Sequence, residues 1–99
     1  MPRPTLIIST DARNRLASDV MVIPFSTNLR ALSTHVFIAA GTGGLRRDSV
    51  AKCEQLSSVE KGLLVAGPLG DLVPDDILNE VVIAIRLSVG DVPLPVSPT

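Results

Sequence analysis

A lysine and a glutamate separated by one residue are the side chains of this sequence best suited to acid–base chemistry. Lys52 and Glu54 flank Cys53 in a segment, SVAKCEQ, that predicts a β-strand over Ser49–Gln55. Side chains alternate between the faces of a strand, so Lys52 and Glu54 should emerge on one face and Cys53 on the other. An ammonium beside a carboxylate can serve as an acid–base pair. It can equally be a surface salt bridge, which contributes little to stability.

A second group of polar side chains, Ser26, Thr27 and Asn28, follows an apolar segment. Hydroxyls at the end of a strand can donate to phosphate oxygens, and the amides of Asn28 and Gln55 can read the edges of bases. The sequence Ser-Thr-Asn would also end a strand through turn chemistry alone. These residues are therefore binding candidates with a purely structural alternative.

Charge is distributed unevenly along the chain, although the formal net charge is only −1. Residues 1–53 carry a balance of +4 and residues 54–99 a balance of −5, which predicts one basic face and one acidic face. Arg30, Arg46 and Arg47 are basic residues near the candidate groups. Each of the three can also be a solvated surface charge with no partner.

The single cysteine and the single histidine limit other kinds of chemistry. Cys53 excludes an internal disulfide and a cysteine-cluster metal site, and it fits a reducing cytoplasm. His35 has no second histidine with which to form a relay, so we expect a structural role for it. The apolar runs are too short to span a membrane and no signal peptide is evident, so the sequence predicts a cytoplasmic protein.

Short apolar segments separated by polar turns must position these groups. Strands are predicted at Thr5–Thr10, Asp19–Phe25, Thr34–Ala39, Ser49–Gln55 and Leu63–Gly67. The polar DARNR after the first strand predicts a loop or short turn, and Pro24 places the end of the second strand at a sheet edge or a bend. Gly41–Gly44 lacks the ending of a phosphate-binding loop and predicts a hairpin turn.

One C-terminal helix is predicted between Pro74 and Gly90. Pro74 suits the first turn, Asp75 and Asp76 favour the positive end of the helix dipole, and Gly90 stands just past the end. A wide apolar stripe predicts burial of one face against the sheet and a second subunit. The stripe consists of Ile77, Val81, Ala84, Ile85 and Ser88, widened by Leu78, Val82 and Val89.

These elements predict a fold that is mainly β with a C-terminal helix, arranged as a small and strongly bent β-barrel. Residues 1–90 should form a single domain, and residues 91–99, with three prolines in DVPLPVSPT, an extended tail. A core this small would gain from oligomerisation.

Four segments follow one another in an order that is typical of a known family. PRPTLIIS, VIPFSTN, GLRRDSVAKCEQLSSVEK and LVPDDILNEVVIAIRLSVG resemble successive segments of the MazF/PemK/Kid toxin endoribonucleases, over residues 3–90. The resemblance implies an SH3-like barrel of the CcdB/PemK type. Two features differ: the family's first strand, usually Gly-Glu-Ile-Trp, is expected to be missing, and Lys52 stands where Kid-like members have arginine.

The resemblance implies the toxin of a type II toxin–antitoxin system, which cleaves single-stranded RNA without a metal or cofactor. The products would be a 2′,3′-cyclic phosphate and a 5′-hydroxyl. A homodimer is implied, as is an acidic, partly disordered antitoxin that covers the groove. The alternatives are a shortened, inactive relative that binds antitoxin or RNA, and a CcdB-like gyrase inhibitor, which needs a C-terminal Trp-Gly that is not found here.

The resemblance also implies a role for each candidate residue. Glu54 would be the base that takes the proton of the 2′-hydroxyl, and Lys52 the acid or phosphate clamp. Arg3 would stabilise charge at the scissile phosphate, and Ser26 would replace the catalytic threonine of MazF enzymes. RNA would be bound by the remaining candidates, Thr27, Asn28, Arg30, Arg46, Arg47 and Gln55.

Overall fold

The computed structural model describes residues 4–64, 70 and 72–90. Its elements are, in chain order, β1 (Thr5–Ile7), α1 (Asp11–Leu16), β2 (Asp19–Ser26), β3 (His35–Ile38), β4 (Ser49–Lys52), β5 (Ser57–Glu60) and α2 (Asp75–Ser88). Short 3₁₀ turns lie at Thr42–Gly44, Cys53–Gln55 and Lys61–Leu63. The prediction of a mainly β fold with a C-terminal helix is confirmed.

Strand β2 is the centre of the sheet because it pairs with three other strands, all antiparallel. Its residues 19–22 pair with β5, residues 22–24 with β1, and residues 25 and 26 with β4, which in turn pairs with β3. The change of partner from β5 to β4 occurs beside Pro24, which has no amide hydrogen to donate to a ladder. Pro24 therefore lies where the strand changes partners, and among the described residues the sheet stays open.

Helix α2 covers one face of the sheet. Val81 and Ala84 are buried, and Ile77 and Ile85 pack against the same core. The predicted stripe is confirmed at these positions, whereas Ser88 is exposed and donates to the Ile85 carbonyl at 2.7 Å. Val82 and Val89, expected to widen the buried face, are also exposed. The core cluster consists of Leu6, Ile23, Val36, Ile38, Leu45, Ala51, Cys53, Val81 and Ala84.

The ends of α2 follow the predicted signals. Pro74 directly precedes the first helical residue, and Asp75 and Asp76 occupy the first turn. Gly90 follows with φ +67°, a left-handed conformation that suits glycine after a helix. None of the helices in the described part of the chain is long and apolar enough to cross a membrane.

The segment between β1 and β2 is more ordered than predicted. The strand expected over Thr5–Thr10 ends at Ile7, and the expected loop is the helix α1. The Thr10 hydroxyl caps this helix by accepting from the Arg13 amide at 3.3 Å, and Arg13 forms a 2.7 Å ion pair with Asp19. The helix buries none of its residues, so it has no apolar stripe from which it could be predicted.

The fourth and fifth predicted strands also differ from those in the structure. The strand expected over Ser49–Gln55 ends at Lys52, and the 3₁₀ turn Cys53–Gln55 follows. The fifth strand is Ser57–Glu60, not Leu63–Gly67; Leu63 belongs to a 3₁₀ turn, and residues 65–67 lie outside the described residues. The predicted tail, residues 91–99, also lies outside them.

Gly70 lies so close to the Gly43–Gly44 turn that no side chain fits between them. A Cβ atom on Gly70 would be 2.8 Å from the Gly44 Cα and 2.9 Å from the Gly44 nitrogen, and backbone atoms cannot move aside cheaply. We expect Gly70→Ala to lower the free energy of unfolding by about 1–3 kcal/mol in urea denaturation. Gly62→Ala is the control, because a Cβ there meets nothing within 4 Å. Equal stability of the two variants would contradict this prediction.

Candidate functional site

A pocket of about 200 Å³ lies where the end of β2, the start of β3 and the end of β4 meet. The β3–β4 ladder sets His35 opposite Lys52, and the β2–β4 ladder sets Ser26 opposite Val50. The lining residues are Ser26, Asn28, Arg30, Leu32, His35, Lys52, Glu54 and Gln55. Six of the ten residues proposed from the sequence therefore share one pocket.

The other candidates lie elsewhere. Thr27 lines a neighbouring pocket, also of about 200 Å³, to which Ser26 contributes as well. Arg46 and Arg47 are exposed just before β4 and line neither of these two pockets. Arg3 lies outside the described residues, although its neighbour Pro4 lines the second pocket.

Lys52 and Glu54 both line the pocket, but they do not lie on one strand as predicted. Lys52 is the last residue of β4, and Glu54 lies in the 3₁₀ turn that follows. Cys53, between them, is buried, so the predicted separation of the three side chains holds although the strand has ended. The Cys53 amide still donates to the Thr34 carbonyl at 3.0 Å, which ties the turn to the start of β3.

Glu54 is held by Thr34 and His35, at and just before the start of β3, and Lys52 does not contribute to these contacts. The Thr34 hydroxyl donates to Glu54 Oε1 at 3.2 Å, and His35 Nε2 lies 3.1 Å from Oε1 and 3.3 Å from Oε2. The alternative of a Lys52–Glu54 salt bridge is not formed, and Lys52 has no ion pair in the described part of the chain. Its ammonium thus lines the pocket without a carboxylate partner there.

His35 also lines the pocket, although the sequence predicts only a structural role for it. Its side chain is 6% exposed, and Nδ1 lies 3.0 Å from the Arg30 carbonyl oxygen while Nε2 faces Glu54. The two contacts join the chain before β3 to the turn after β4. The register that places His35 opposite Lys52 is the signal that could have revealed it, and that register is a tertiary feature.

Ser26 combines turn formation with a position in the pocket. Its hydroxyl oxygen accepts a hydrogen bond from the Asn28 amide at 3.1 Å, as expected of a serine that ends a strand. The O–H group of a hydroxyl that accepts can still donate. The structural and the binding interpretations are therefore compatible at this residue.

Cys53 lies beneath the pocket and is 1% exposed. Burial, and secondly the negative charge of Glu54, raise the pKa of its thiol from 9.0 to about 11. A thiolate is the nucleophilic form of cysteine, so at neutral pH this side chain acts as a core residue. No group of three His, Cys, Asp or Glu side chains that could hold a metal ion occurs among the described residues.

The raised pKa of Cys53 predicts a loss of stability in alkali. The pKa of the folded state, about 11, lies above the reference value of 9.0, so the thiol's contribution is complete below pH 9 and is lost as the pH rises toward 11. We expect the free energy of unfolding to fall by up to about 2 kcal/mol over this range, measured by urea denaturation. Cys53→Ala should lack this part of the fall, and identical pH profiles would refute the assignment.

Comparison with known proteins places this chain in a family. The model of the PemK-like, MazF-like toxins of type II toxin–antitoxin systems matches residues 1–89. The fold is similar to that of the Mycobacterium tuberculosis toxin MazF-mt6, with 25% identity, a TM-score of 0.78 and coverage of 89% of this chain and 86% of that one. No match is found among curated proteins.

Two further structures are similar over most of their length. One is an endoribonuclease from a mycobacterial species in complex with its cognate antitoxin, with 26% identity, a TM-score of 0.77 and coverage of 94% of this chain and 84% of that one. The other is the MazE–MazF complex of Deinococcus radiodurans, where 23% identity, a TM-score of 0.76 and coverage of 89% and 82% show a shared fold. The family model spans nearly the whole chain and the fold agrees with it, so this chain belongs to the PemK-like, MazF-like toxins of type II toxin–antitoxin systems.

Proposed function

We propose that this chain is a metal-independent endoribonuclease that cleaves single-stranded RNA in the pocket described above. The observation that carries the proposal is the convergence of Glu54, Lys52 and Ser26 on one open pocket in a chain of this toxin family. A relative with 28% identity, from a mycobacterial species, is described as an endoribonuclease, which supports the same class of activity here.

RNA cleavage without a metal needs a base, an acid and groups that stabilise charge on the phosphate. Glu54 takes the proton of the 2′-hydroxyl, and the freed 2′-oxygen attacks the phosphorus. Lys52 gives a proton to the 5′-oxygen as its bond to phosphorus breaks, or holds the phosphate by its charge. The Ser26 hydroxyl donates to a phosphate oxygen, and the products are a 2′,3′-cyclic phosphate and a 5′-hydroxyl.

The other lining residues suit RNA binding. The amides of Asn28 and Gln55 can pair with base edges, and the Arg30 guanidinium can contact a phosphate. Thr27 in the adjoining pocket extends the same surface. Arg46 and Arg47, exposed outside both pockets, are assigned to the path of the RNA backbone beyond them, and Arg3 to the scissile phosphate.

Protein partners are part of the proposal. A mycobacterial relative with 26% identity is known in complex with its cognate antitoxin, which supports an antitoxin partner here. Ile83 and Leu87, one turn apart on α2, are 55% and 53% exposed. Apolar side chains on one helix face are suited to burial against another chain, which supports the homodimer.

The test is to incubate the purified protein with a single-stranded transcript in excess EDTA and to map the ends of the fragments. We expect cleavage that leaves 2′,3′-cyclic phosphate and 5′-hydroxyl ends, at a rate that falls as salt is added. Intact RNA, or cleavage only after a divalent metal is added, would refute the proposed chemistry. RNA or antitoxin binding without cleavage would point to the alternative of an inactive relative.

A further inference from the structure

The two ring nitrogens of His35 have different partners, and together these partners fix where its hydrogens lie. Nδ1 is 3.0 Å from the carbonyl oxygen of Arg30, and a carbonyl can only accept, so Nδ1 carries a hydrogen. Nε2 is 3.1 Å and 3.3 Å from the two oxygens of Glu54. A neutral imidazole has only one N–H group. Neutral His35 would therefore turn a bare lone pair toward an ionised carboxylate.

This contact is attractive only if one proton lies between the ring and the carboxyl group. With the proton on Nε2, an imidazolium N–H donates to the Glu54 carboxylate, and Glu54 keeps the ionised form that a base requires.

Glu54 is the member of the pair that a bound molecule can contact, because its side chain is the more exposed of the two. The His35 side chain is 6% exposed and that of Glu54 is 32% exposed, so a molecule in the pocket reaches the carboxylate before the ring. The other ionisable groups around the pair are Lys52 and Arg30, which line the same pocket, and the buried Cys53. Helix α2, packed against β3 and the 3₁₀ turn, contributes the apolar Val81 and Ala84 there.

We propose that His35 is a positioning residue, which uses the Arg30 carbonyl as an anchor and orients the Glu54 carboxylate through Nε2. The inference rests on the proposed ribonuclease function. It adds a requirement: Glu54 works as half of a pair, in a geometry fixed by Nε2 and by the Thr34 hydroxyl. A carboxylate has more lone pairs than these two contacts use, so it can still accept the 2′-hydroxyl proton.

Two amide variants separate positioning from a purely structural role. In His35→Asn, the side-chain amide can replace Nδ1 and keep the bond to the Arg30 carbonyl, but it cannot reach Glu54. In His35→Gln, the longer amide can replace Nε2 and donate to Glu54. We expect cleavage to fall by about tenfold or more in His35→Asn, as for the loss of a hydrogen bond to a charged group, and to recover partly in His35→Gln.

Partial recovery in His35→Gln is a readout that a purely structural role would not give. This variant restores a donor to Glu54 but loses the bond to the Arg30 carbonyl. A wild-type rate in His35→Asn, or equal losses in the two variants, would overturn the inference.

The protonation of the ring can be observed without any RNA, because the chain has only one histidine. Nitrogen-15 NMR of the imidazole should show that Nδ1 keeps its hydrogen when the ring is neutral. A neutral ring with its hydrogen on Nε2 would overturn the anchor to Arg30. If the wild type cleaves no RNA, the proposed function fails while this spectrum still tests the pair; if the wild type cleaves and the His35 variants match it, only the present inference fails.

Discussion

Replacing Glu54 with glutamine is expected to reduce RNA cleavage by about 100-fold or more, as is usual when a general base is lost. Glutamine has nearly the same shape and can still accept from the Thr34 hydroxyl, but its amide cannot take the 2′-hydroxyl proton. The measurement is the initial rate of cleavage of a defined single-stranded RNA. Circular dichroism should show an unchanged fold, because Glu54 lies at the surface and outside the core.

Glu60→Gln is the matched control, since Glu60 is an exposed glutamate on β5 that does not line the pocket. Its rate should equal that of the wild type. Lys52→Ala tests the second group of the proposed chemistry in the same assay and should also lose most of the activity, with Lys61→Ala as its control. A wild-type rate in both Glu54→Gln and Lys52→Ala would leave the proposed roles without support.

Truncating Ile23 to alanine is expected to lower the free energy of unfolding by about 2–5 kcal/mol. Ile23 is fully buried, pairs with Leu6 across the β1–β2 ladder and belongs to the core cluster, so the missing atoms leave a cavity. A small domain has a total stability of about 5–15 kcal/mol, so this loss is a large share. Urea denaturation followed by circular dichroism measures it.

Leu16→Ala serves as the control for the core variant, because the Leu16 side chain is 85% exposed at the end of α1. Exposed substitutions of this kind usually change stability by less than about 0.5 kcal/mol. A similar, small effect of both substitutions would show that β2 does not occupy the centre of the core. A large effect of Leu16→Ala alone would show that α1 is covered by another chain.

The elements that could be predicted are those with a buried face, because burial gives their sequence an apolar pattern. Strand β2 is a nearly continuous apolar run, and α2 combines an apolar stripe with Pro74, two aspartates and Gly90 at its ends. Helix α1 was missed because none of its residues is buried. The 3₁₀ turn after Lys52 was missed because Lys52, Cys53 and Glu54 retain the alternation of a strand through the turn.

The site was predictable only in part, for a related reason. Ser26, Lys52 and Glu54 have side chains whose chemistry is evident from residue type and local spacing. The role of His35 depends on Glu54, nineteen positions away, and on the Arg30 carbonyl, which sequence patterns do not describe. The alternative Lys52–Glu54 salt bridge is not formed, and Glu54 pairs with His35 instead.

The pairing of β2 with three strands has a consequence for the unfolding of the protein. Strands β1, β4 and β5 each form their ladder with β2, so a fluctuation that frees the backbone of β2 must separate three pairings together. Such an opening removes most of the sheet at once and leaves the pocket without the strand that ends in Ser26. The lifetime of the intact pocket is therefore set by the cooperativity of the whole sheet.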